Sequence, residues 1–107
     1  MPWFYDNIDF DSGPIKDVER IYCFLFDSFS ESDWNTLGQI YASLPSLQTS
    51  KPVPYWFGTE DTSNYLWASV EPPGLQVAGK LREADWLTWE TAFHEQVQSS
   101  SLPRYEC

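Results

Sequence analysis

The sequence predicts a small α+β fold, in which a largely antiparallel sheet carries two helices on one face in the order β-β-α-β-β-β-α. Short runs rich in aromatic and β-branched residues predict the strands, and two segments with acidic first turns predict the helices. A tight turn of two prolines and a glycine joins two of the runs directly. Runs of consecutive strands that only two helices interrupt, together with a tight hairpin, are typical of the α+β class.

Two strands are expected at the start of the chain. Phe4, Ile8 and Phe10 alternate with polar residues, which is the period-two pattern of a strand with one solvated face. Residues 12–14 interrupt that pattern, and residues 18–26 then form a mostly apolar run rich in β-formers. This run predicts a central strand, with a buried helix as the alternative.

Each predicted helix begins with a Glu-x-Asp-Trp sequence. The first follows the capping residue Ser30 and ends before Pro45. The second begins at Glu83, and its apolar stripe consists of Trp86, Trp89, Phe93 and Val97. We expect Trp34 and Trp86, at equivalent positions, to be buried anchors on the sheet; a pair of related recognition elements is the alternative.

A hairpin is expected between the helices. Residues 45–54 are predicted to be a loop, residues 55–57 a short aromatic strand and residues 58–64 a turn. Two further strands, residues 65–70 and 75–81, are expected to be joined by a tight turn. Gly74 is placed in that turn, where it would tolerate a positive φ. Residues 99–107 are expected to be an irregular tail.

The whole chain, residues 1–107, is expected to be one domain, because two pieces of it would each be too small for an adequate core. It has six basic and sixteen acidic residues, a formal net charge of -10. Such a charge repels nucleic acid phosphates and anionic lipids, so it argues against direct nucleic acid or membrane binding and favours a basic protein partner. The alternative is that the charge only keeps an aromatic-rich protein soluble.

The cysteines and the N-terminus predict a cytoplasmic protein. No apolar run approaches the roughly 20 residues of a membrane span, and the first residues lack the pattern of a signal peptide. Cys23 is expected to be a small core residue and Cys107 a frayed terminal thiol, without a disulfide between them. Stability is therefore expected not to depend on oxidation. Export by another route is the alternative.

No catalytic residue, metal ligand or cofactor is predicted. His94 is the one histidine, and an ion pair with Glu90 one helical turn away accounts for it. Cys23 in an apolar strand would stay protonated and unreactive. Carboxylates alternate from Asp9 to Asp11, but the glycine and closing glutamate of a calcium loop do not follow at the required positions.

The expected function is that of an acidic protein-binding module of the immunity-protein or antitoxin type, which inhibits a basic protein such as a nuclease toxin by occupying its substrate cleft. The predicted contacts are acids of the first strand and acids beside an aromatic run: Asp6, Asp9, Asp11, Trp56, Glu60 and Asp61. Trp56 is included on the condition that its ring is exposed. The alternatives are an accessory or regulatory subunit, including a DNA mimic, and a small enzyme that uses unmarked carboxylates. The sequence does not indicate an oligomeric state.

Overall fold

The computed structural model describes residues 2–7, 14–49, 52–71 and 74–107. This part of the chain confirms the α+β class: it contains six strands, two α-helices and a short 3-10 turn, Phe26–Ser28. The strands are β1 (Phe4–Asp6), β2 (Ile15–Tyr22), β3 (Leu47–Gln48), β4 (Tyr55–Trp56), β5 (Tyr65–Glu71) and β6 (Gly74–Arg82), and the helices are α1 (Glu31–Ser43) and α2 (Glu83–Gln98).

All six strands belong to one antiparallel sheet with the order β1-β2-β6-β5-β4-β3. The predicted hairpin is confirmed, because β5 pairs with β6 from Tyr65 opposite Lys80 to Glu71 opposite Gly74. β2 pairs with the other side of β6 over its full length. The two long pairings make β2, β6 and β5 the centre of the sheet.

One strand and two strand ends differ from the sequence-based prediction. β3 lies in the predicted loop, where Leu47 pairs with Trp56, a long-range pairing that no local pattern signals. β4 ends at Trp56 because Phe57 adopts a φ of 71°, outside the extended region. β2 ends at Tyr22 rather than continuing to residue 26, since the chain turns there towards the 3-10 turn.

Gly74 is also placed differently from its prediction. It is the first residue of β6 and pairs with Glu71, so it is not a central residue of the turn. A Cβ at this position would overlap the carbonyl oxygen of Tyr22 on the neighbouring strand. Close approach of two backbones therefore requires glycine here.

The starts of both helices agree with the prediction. The amide of Asp33 donates to Ser30 Oγ (3.1 Å) and the amide of Ser30 donates to Asp33 Oδ2 (2.9 Å), which completes a capping box. The helices pack on one face of the sheet, and their buried side chains join those of the central strands in one core. The contributions of the helices are Leu37, Ile40, Trp86, Trp89, Phe93 and Val97.

The two echoed tryptophans have different environments. Trp86 is 2% exposed and belongs to the core, as predicted. Trp34 is 41% exposed, so the prediction of a buried anchor is wrong for this residue. Its ring stacks on that of Phe26 and is not part of the core cluster. The same local sequence therefore begins both helices, but its tryptophan is buried in α2 and exposed in α1.

The prediction for the cysteines is confirmed in part: Cys23 is a buried core residue at 0% exposure, but the expectation of no disulfide is wrong. Cys23 and Cys107 form a disulfide with a Cα–Cα distance of 6.4 Å. The tail has no helix or long strand, as expected, but it is docked rather than frayed. Leu102 is buried, and an isolated bridge pairs Phe24 with Arg104. Contacts made by the folded chain bring together two cysteines that are 84 positions apart, which the sequence does not reveal.

Among the described residues, neither helix has the length and apolar character that a membrane span requires.

Candidate functional site

A cavity of about 450 Å³ lies at the end of the sheet where β2 ends and where the hairpin connects β5 to β6. Its volume falls in the range that holds a small molecule or a side chain of a partner. One wall comes from the residues that follow β2, a second from the end of β5 and a third from the tail. The lining residues are Phe24, Leu25, Phe26, Asp27, Val70, Glu71 and Tyr105.

Large apolar side chains are exposed around this cavity. Leu25 is 42% exposed and Val70 is 48% exposed, and both line it. Trp34 extends the apolar surface, because its ring stacks on that of Phe26 with centroids 5.2 Å apart and planes 8° apart. We call the seven lining residues together with Trp34 the cavity surface. A continuous apolar surface around a concavity is typical of a binding site.

The charged groups of the cavity wall are both acidic. Asp27 and Glu71 are exposed, and the hydroxyl of Ser69 donates to Glu71 Oε1 (3.1 Å). Within the described ranges, no lysine or arginine forms a salt bridge with either carboxylate. The cavity therefore combines an apolar interior with negative charges that are not neutralised by a basic side chain in that part of the chain.

Local backbone structure directs these side chains outward. After Phe24, the amide of Ser28 donates to the carbonyl of Leu25 (2.9 Å) and the amide of Phe29 to that of Phe26 (3.1 Å). This 3-10 turn ends the extended conformation and leaves Leu25 in the cavity wall. The capping box then fixes the start of α1, which places Trp34 in the first helical turn beside Phe26.

A second, more polar cavity of about 350 Å³ adjoins the first through Tyr105. It is lined by Trp3, Leu102, Arg104, Tyr105 and Glu106, and the guanidinium of Arg104 lies over the Trp3 ring, 5.0 Å from its centroid. This cavity lies between the N-terminal segment and the tail, and the two cavities share Tyr105.

A buried arginine joins β1, β2 and α2. Arg20 is 4% exposed, and its Nε donates to Asp6 Oδ1 (2.7 Å) while Nη1 donates to Glu90. The guanidinium also lies over the rings of Phe4 (4.2 Å) and Trp86 (4.9 Å). Burial by itself lowers the pKa of Arg20, but the hydrogen bond to Asp6 and the interactions with Tyr22 and Glu90 together outweigh burial and raise the pKa. Arg20 is a charged structural link between the edge strand and the helix.

His94 belongs to the same network. Arg20 Nη1 donates to Tyr22 Oη (3.1 Å), and Tyr22 Oη lies 2.8 Å from His94 Nε2. Burial raises the pKa of Tyr22, so the phenol keeps its proton and donates it to a neutral His94. Burial lowers the pKa of His94, and nearby Arg20 adds to this effect against the opposing influence of Glu90. The predicted simple ion pair with Glu90 therefore does not describe His94, whose hydrogen bond is to Tyr22.

The lowered pKa of His94 predicts a pH-dependent stability. Below about pH 6.5 the unfolded chain binds a proton that the folded His94 resists, so stability falls as pH decreases from that value towards the folded pKa. We expect urea unfolding of the wild type to lose more stability than that of His94→Gln between about pH 7.5 and 5.5. Glutamine keeps an acceptor for Tyr22 without titrating. Parallel pH profiles for the two proteins would contradict the prediction.

Two of the contacts predicted from sequence are engaged within the fold. The carboxylate of Asp6 is paired with Arg20, because β1 and β2 place the two side chains opposite each other. Trp56 is 0% exposed, and its Nε1 donates to the carbonyl of Tyr41 (3.2 Å). The condition for Trp56 as a contact was an exposed ring, so the structure corrects that assignment.

Two further predicted contacts, Glu60 and Asp61, are not among the described residues that line the cavity. Glu60 and Asp61 are exposed in the turn before β5, whereas Glu71 lies at the opposite end of that strand. Asp9 and Asp11 lie outside the described residues. Within the described ranges, no cluster of three or more His, Cys, Asp or Glu residues could hold a metal ion.

None of the seven residues that line the cavity is predicted as a contact from the sequence. Leu25 and Val70 look like strand residues in apolar runs, and Tyr105 lies in a tail that is predicted to be irregular. The one local signal is that an acidic residue directly follows each apolar run, Asp27 after Phe26 and Glu71 after Val70. Only the fold brings these positions to one cavity.

No family model, no curated protein and no solved structure matches this chain.

Proposed function

We propose that this chain is a protein-binding domain whose cavity surface receives an apolar side chain from a basic partner. The observation that carries the proposal is the cavity itself, with exposed Leu25 and Val70 beside the carboxylates of Asp27 and Glu71. An apolar side chain would remove the cavity walls from water, and flanking lysine or arginine residues would approach the two acids.

The net charge of -10 supports a partner that is basic over a larger surface. Such a field accelerates the approach of a positively charged protein and repels nucleic acid. We propose that the domain inhibits a basic protein such as a nuclease toxin, whose phosphate-binding cleft would attract carboxylates. Stable disulfides belong to oxidising compartments, so we propose that binding takes place there rather than in the cytoplasm predicted from sequence.

The proposal is tested with three blocked peptides and isotope-labelled oxidised protein. Lys-Arg-Leu-Arg-Lys carries an apolar side chain between basic residues, Lys-Arg-Ser-Arg-Lys lacks the apolar side chain, and Glu-Glu-Leu-Glu-Glu reverses the charge. We expect NMR shift changes at Leu25, Val70 and Trp34 with the first peptide, and much weaker binding of the other two. Equal shifts with all three peptides, or shifts that avoid the cavity surface, would reject the proposal.

Charge reversal in the cavity wall is expected to weaken binding of the first peptide. The double substitution Asp27→Lys and Glu71→Lys changes the net charge from -10 to -6, because each reversal adds two charges. We expect affinity to fall on the order of tenfold at low salt. The difference should shrink as salt rises from about 0.01 M to about 1 M, where the Debye length falls from about 30 Å to about 3 Å.

The matched control reverses the two acids predicted from sequence, Glu60 and Asp61, and reaches the same net charge of -6. We expect this variant to lose much less affinity, because its charges lie at the other end of β5. An equal loss in both variants would mean that total charge, rather than the cavity, determines peptide binding. A greater loss in the control would place the binding site at the turn before β5.

A further inference from the structure

Trp34 presents one face of its indole ring to solvent. The other face stacks on Phe26, with the two ring planes 8° apart, and the ring of Phe29 lies at a centroid distance of 4.9 Å. Trp34 is nevertheless 41% exposed. Since one face is covered, this exposure comes mainly from the opposite face and from the edges of the ring. We call this opposite face of Trp34 the outer face.

Gly38 leaves space beside the Trp34 ring. It lies four residues after Trp34 in α1, and residues at this spacing are neighbours on a helix surface. A helical side chain lies over the turn that precedes it, so a side chain at position 38 would extend towards Trp34. A Cβ at Gly38 would meet nothing within 4 Å, so no close contact requires glycine here. Glycine is unfavourable inside a helix, and its effect at this position is to leave the ring uncovered.

The charged groups nearest to this ring in the sequence are acidic. Glu31 lies three residues before Trp34 on the helix surface, and Asp27 follows Phe26, on which the ring stacks. Both side chains are exposed. Among the described residues of the chain, no lysine or arginine forms a salt bridge with either of them. A cation that approaches the ring therefore also approaches two carboxylates.

Two other tryptophan rings of this protein already contact an arginine. The guanidinium of Arg104 lies over Trp3, 5.0 Å from the ring centroid, and that of Arg20 lies over Trp86 at 4.9 Å. A guanidinium is planar and weakly hydrated, so it stacks on an aromatic face better than the strongly hydrated ammonium group of lysine. Tryptophan offers the most favourable aromatic face to a cation.

We propose that the outer face of Trp34 binds an arginine side chain of the basic partner, and that Gly38 keeps this face open. The apolar side chain of the partner enters the cavity beside Phe26, and the arginine next to it in the partner stacks on Trp34. The inference rests on the proposed function and narrows it. Lysine and arginine would both satisfy the acids, whereas the ring selects arginine.

Two blocked peptides of equal charge test the inference, Arg-Arg-Leu-Arg-Arg and Lys-Lys-Leu-Lys-Lys. Both keep the central leucine, so they differ in the cationic group alone. NMR titration of isotope-labelled oxidised protein measures the two affinities and the shift of the Trp34 indole N–H. We expect the arginine peptide to bind about two- to fivefold more tightly and to shift the indole signal more strongly. Equal affinities of the two peptides would overturn the inference.

Trp34→Leu separates stacking from charge. Leucine keeps an apolar side chain beside Phe26 but offers no aromatic face to a cation. We expect this variant to bind the two peptides equally. An arginine preference that survives the substitution would come from paired hydrogen bonds between guanidinium and carboxylate groups, and would overturn the inference.

Gly38→Leu tests the role of the glycine. We expect the leucine to pack against Trp34 and to abolish the arginine preference, while the urea midpoint rises because leucine favours a helix over glycine. Gln39→Leu is the matched control, since it adds the same side chain at an exposed position about 140° around the helix axis. This control should retain the arginine preference. An unchanged preference in Gly38→Leu, or an equal loss in both variants, would overturn the role assigned to Gly38.

The positions of the shifts separate this inference from the proposed function. Equal binding of both peptides with shifts at Leu25 and Val70 rejects the inference and leaves the proposed function in place. An arginine-selective shift at Trp34 without shifts at Leu25 and Val70 rejects the proposed role of the cavity and supports the inference. Absence of binding by both peptides rejects both.

Discussion

Replacing Trp89 by Ala is expected to destabilise the protein by about 3–5 kcal/mol, because it removes a large, fully buried ring from the centre of the core. The Trp89 ring has centroid distances of 4.8 Å to Phe93, 5.2 Å to Trp56 and 5.8 Å to Trp86. These neighbours belong to both α2 and β4, so the vacated volume cannot be filled by one local movement. Urea unfolding, followed by circular dichroism, measures the change.

Trp89→Phe is the matched control. Within the described part of the chain, Trp89 Nε1 is the one buried side-chain nitrogen or oxygen without a hydrogen-bond partner. Phenylalanine removes that unpaired group, whose burial is unfavourable, and keeps an aromatic ring beside Phe93. We expect a loss below about 2 kcal/mol, clearly smaller than for Ala. Similar losses for Ala and Phe would contradict the importance assigned to the ring contacts.

Opening the disulfide is expected to have the second large effect on stability. The bond closes a loop with a sequence separation of 84, for which loss of chain entropy in the unfolded state corresponds to about 4–5 kcal/mol. Disulfides usually stabilise by less than this entropy, because effects in the folded state offset part of it, so we expect a net loss of about 2–4 kcal/mol. This prediction reverses the expectation from sequence that stability is independent of oxidation.

Urea unfolding of the oxidised protein, the reduced protein and Cys107→Ser measures this loss. The reduced protein and the variant should have the same lowered midpoint, because both lack only the covalent bond. An unchanged midpoint in both would show that the core alone determines stability. A lower midpoint in the variant than in the reduced protein would assign part of the effect to the serine side chain rather than to the bond.

The sequence predicted the elements whose signals are local. The capping box at Ser30, the apolar stripe of α2 and the hairpin of β5 and β6 each depend on residues a few positions apart. It could not predict β3, since Leu47 becomes a strand residue only by pairing with Trp56. Strand pairing is a property of two distant segments.

The sequence did not predict the residues that line the cavity. Negative charge together with aromatic residues predicts a basic partner. The alternation of polar and apolar residues, however, does not tell which acidic side chains are exposed and unpaired in the folded protein. Asp6 follows the alternation and is nevertheless paired with Arg20, and Trp56 is buried despite its position beside a polar turn. The exposure of an acidic or aromatic side chain depends on the residues that the neighbouring strands and helices place beside it.

The sequence by itself determined the α+β class, the negative charge and the two helix starts, because composition and short-range hydrogen bonds are fixed by neighbouring residues. Tertiary structure alone decided that Trp34 is exposed while Trp86 is buried, that Cys23 meets Cys107, and that Asp27 and Glu71 border one cavity. The physical reason is that each of these outcomes depends on packing between segments far apart in the chain, where side chains compete for the same space and local preference no longer decides.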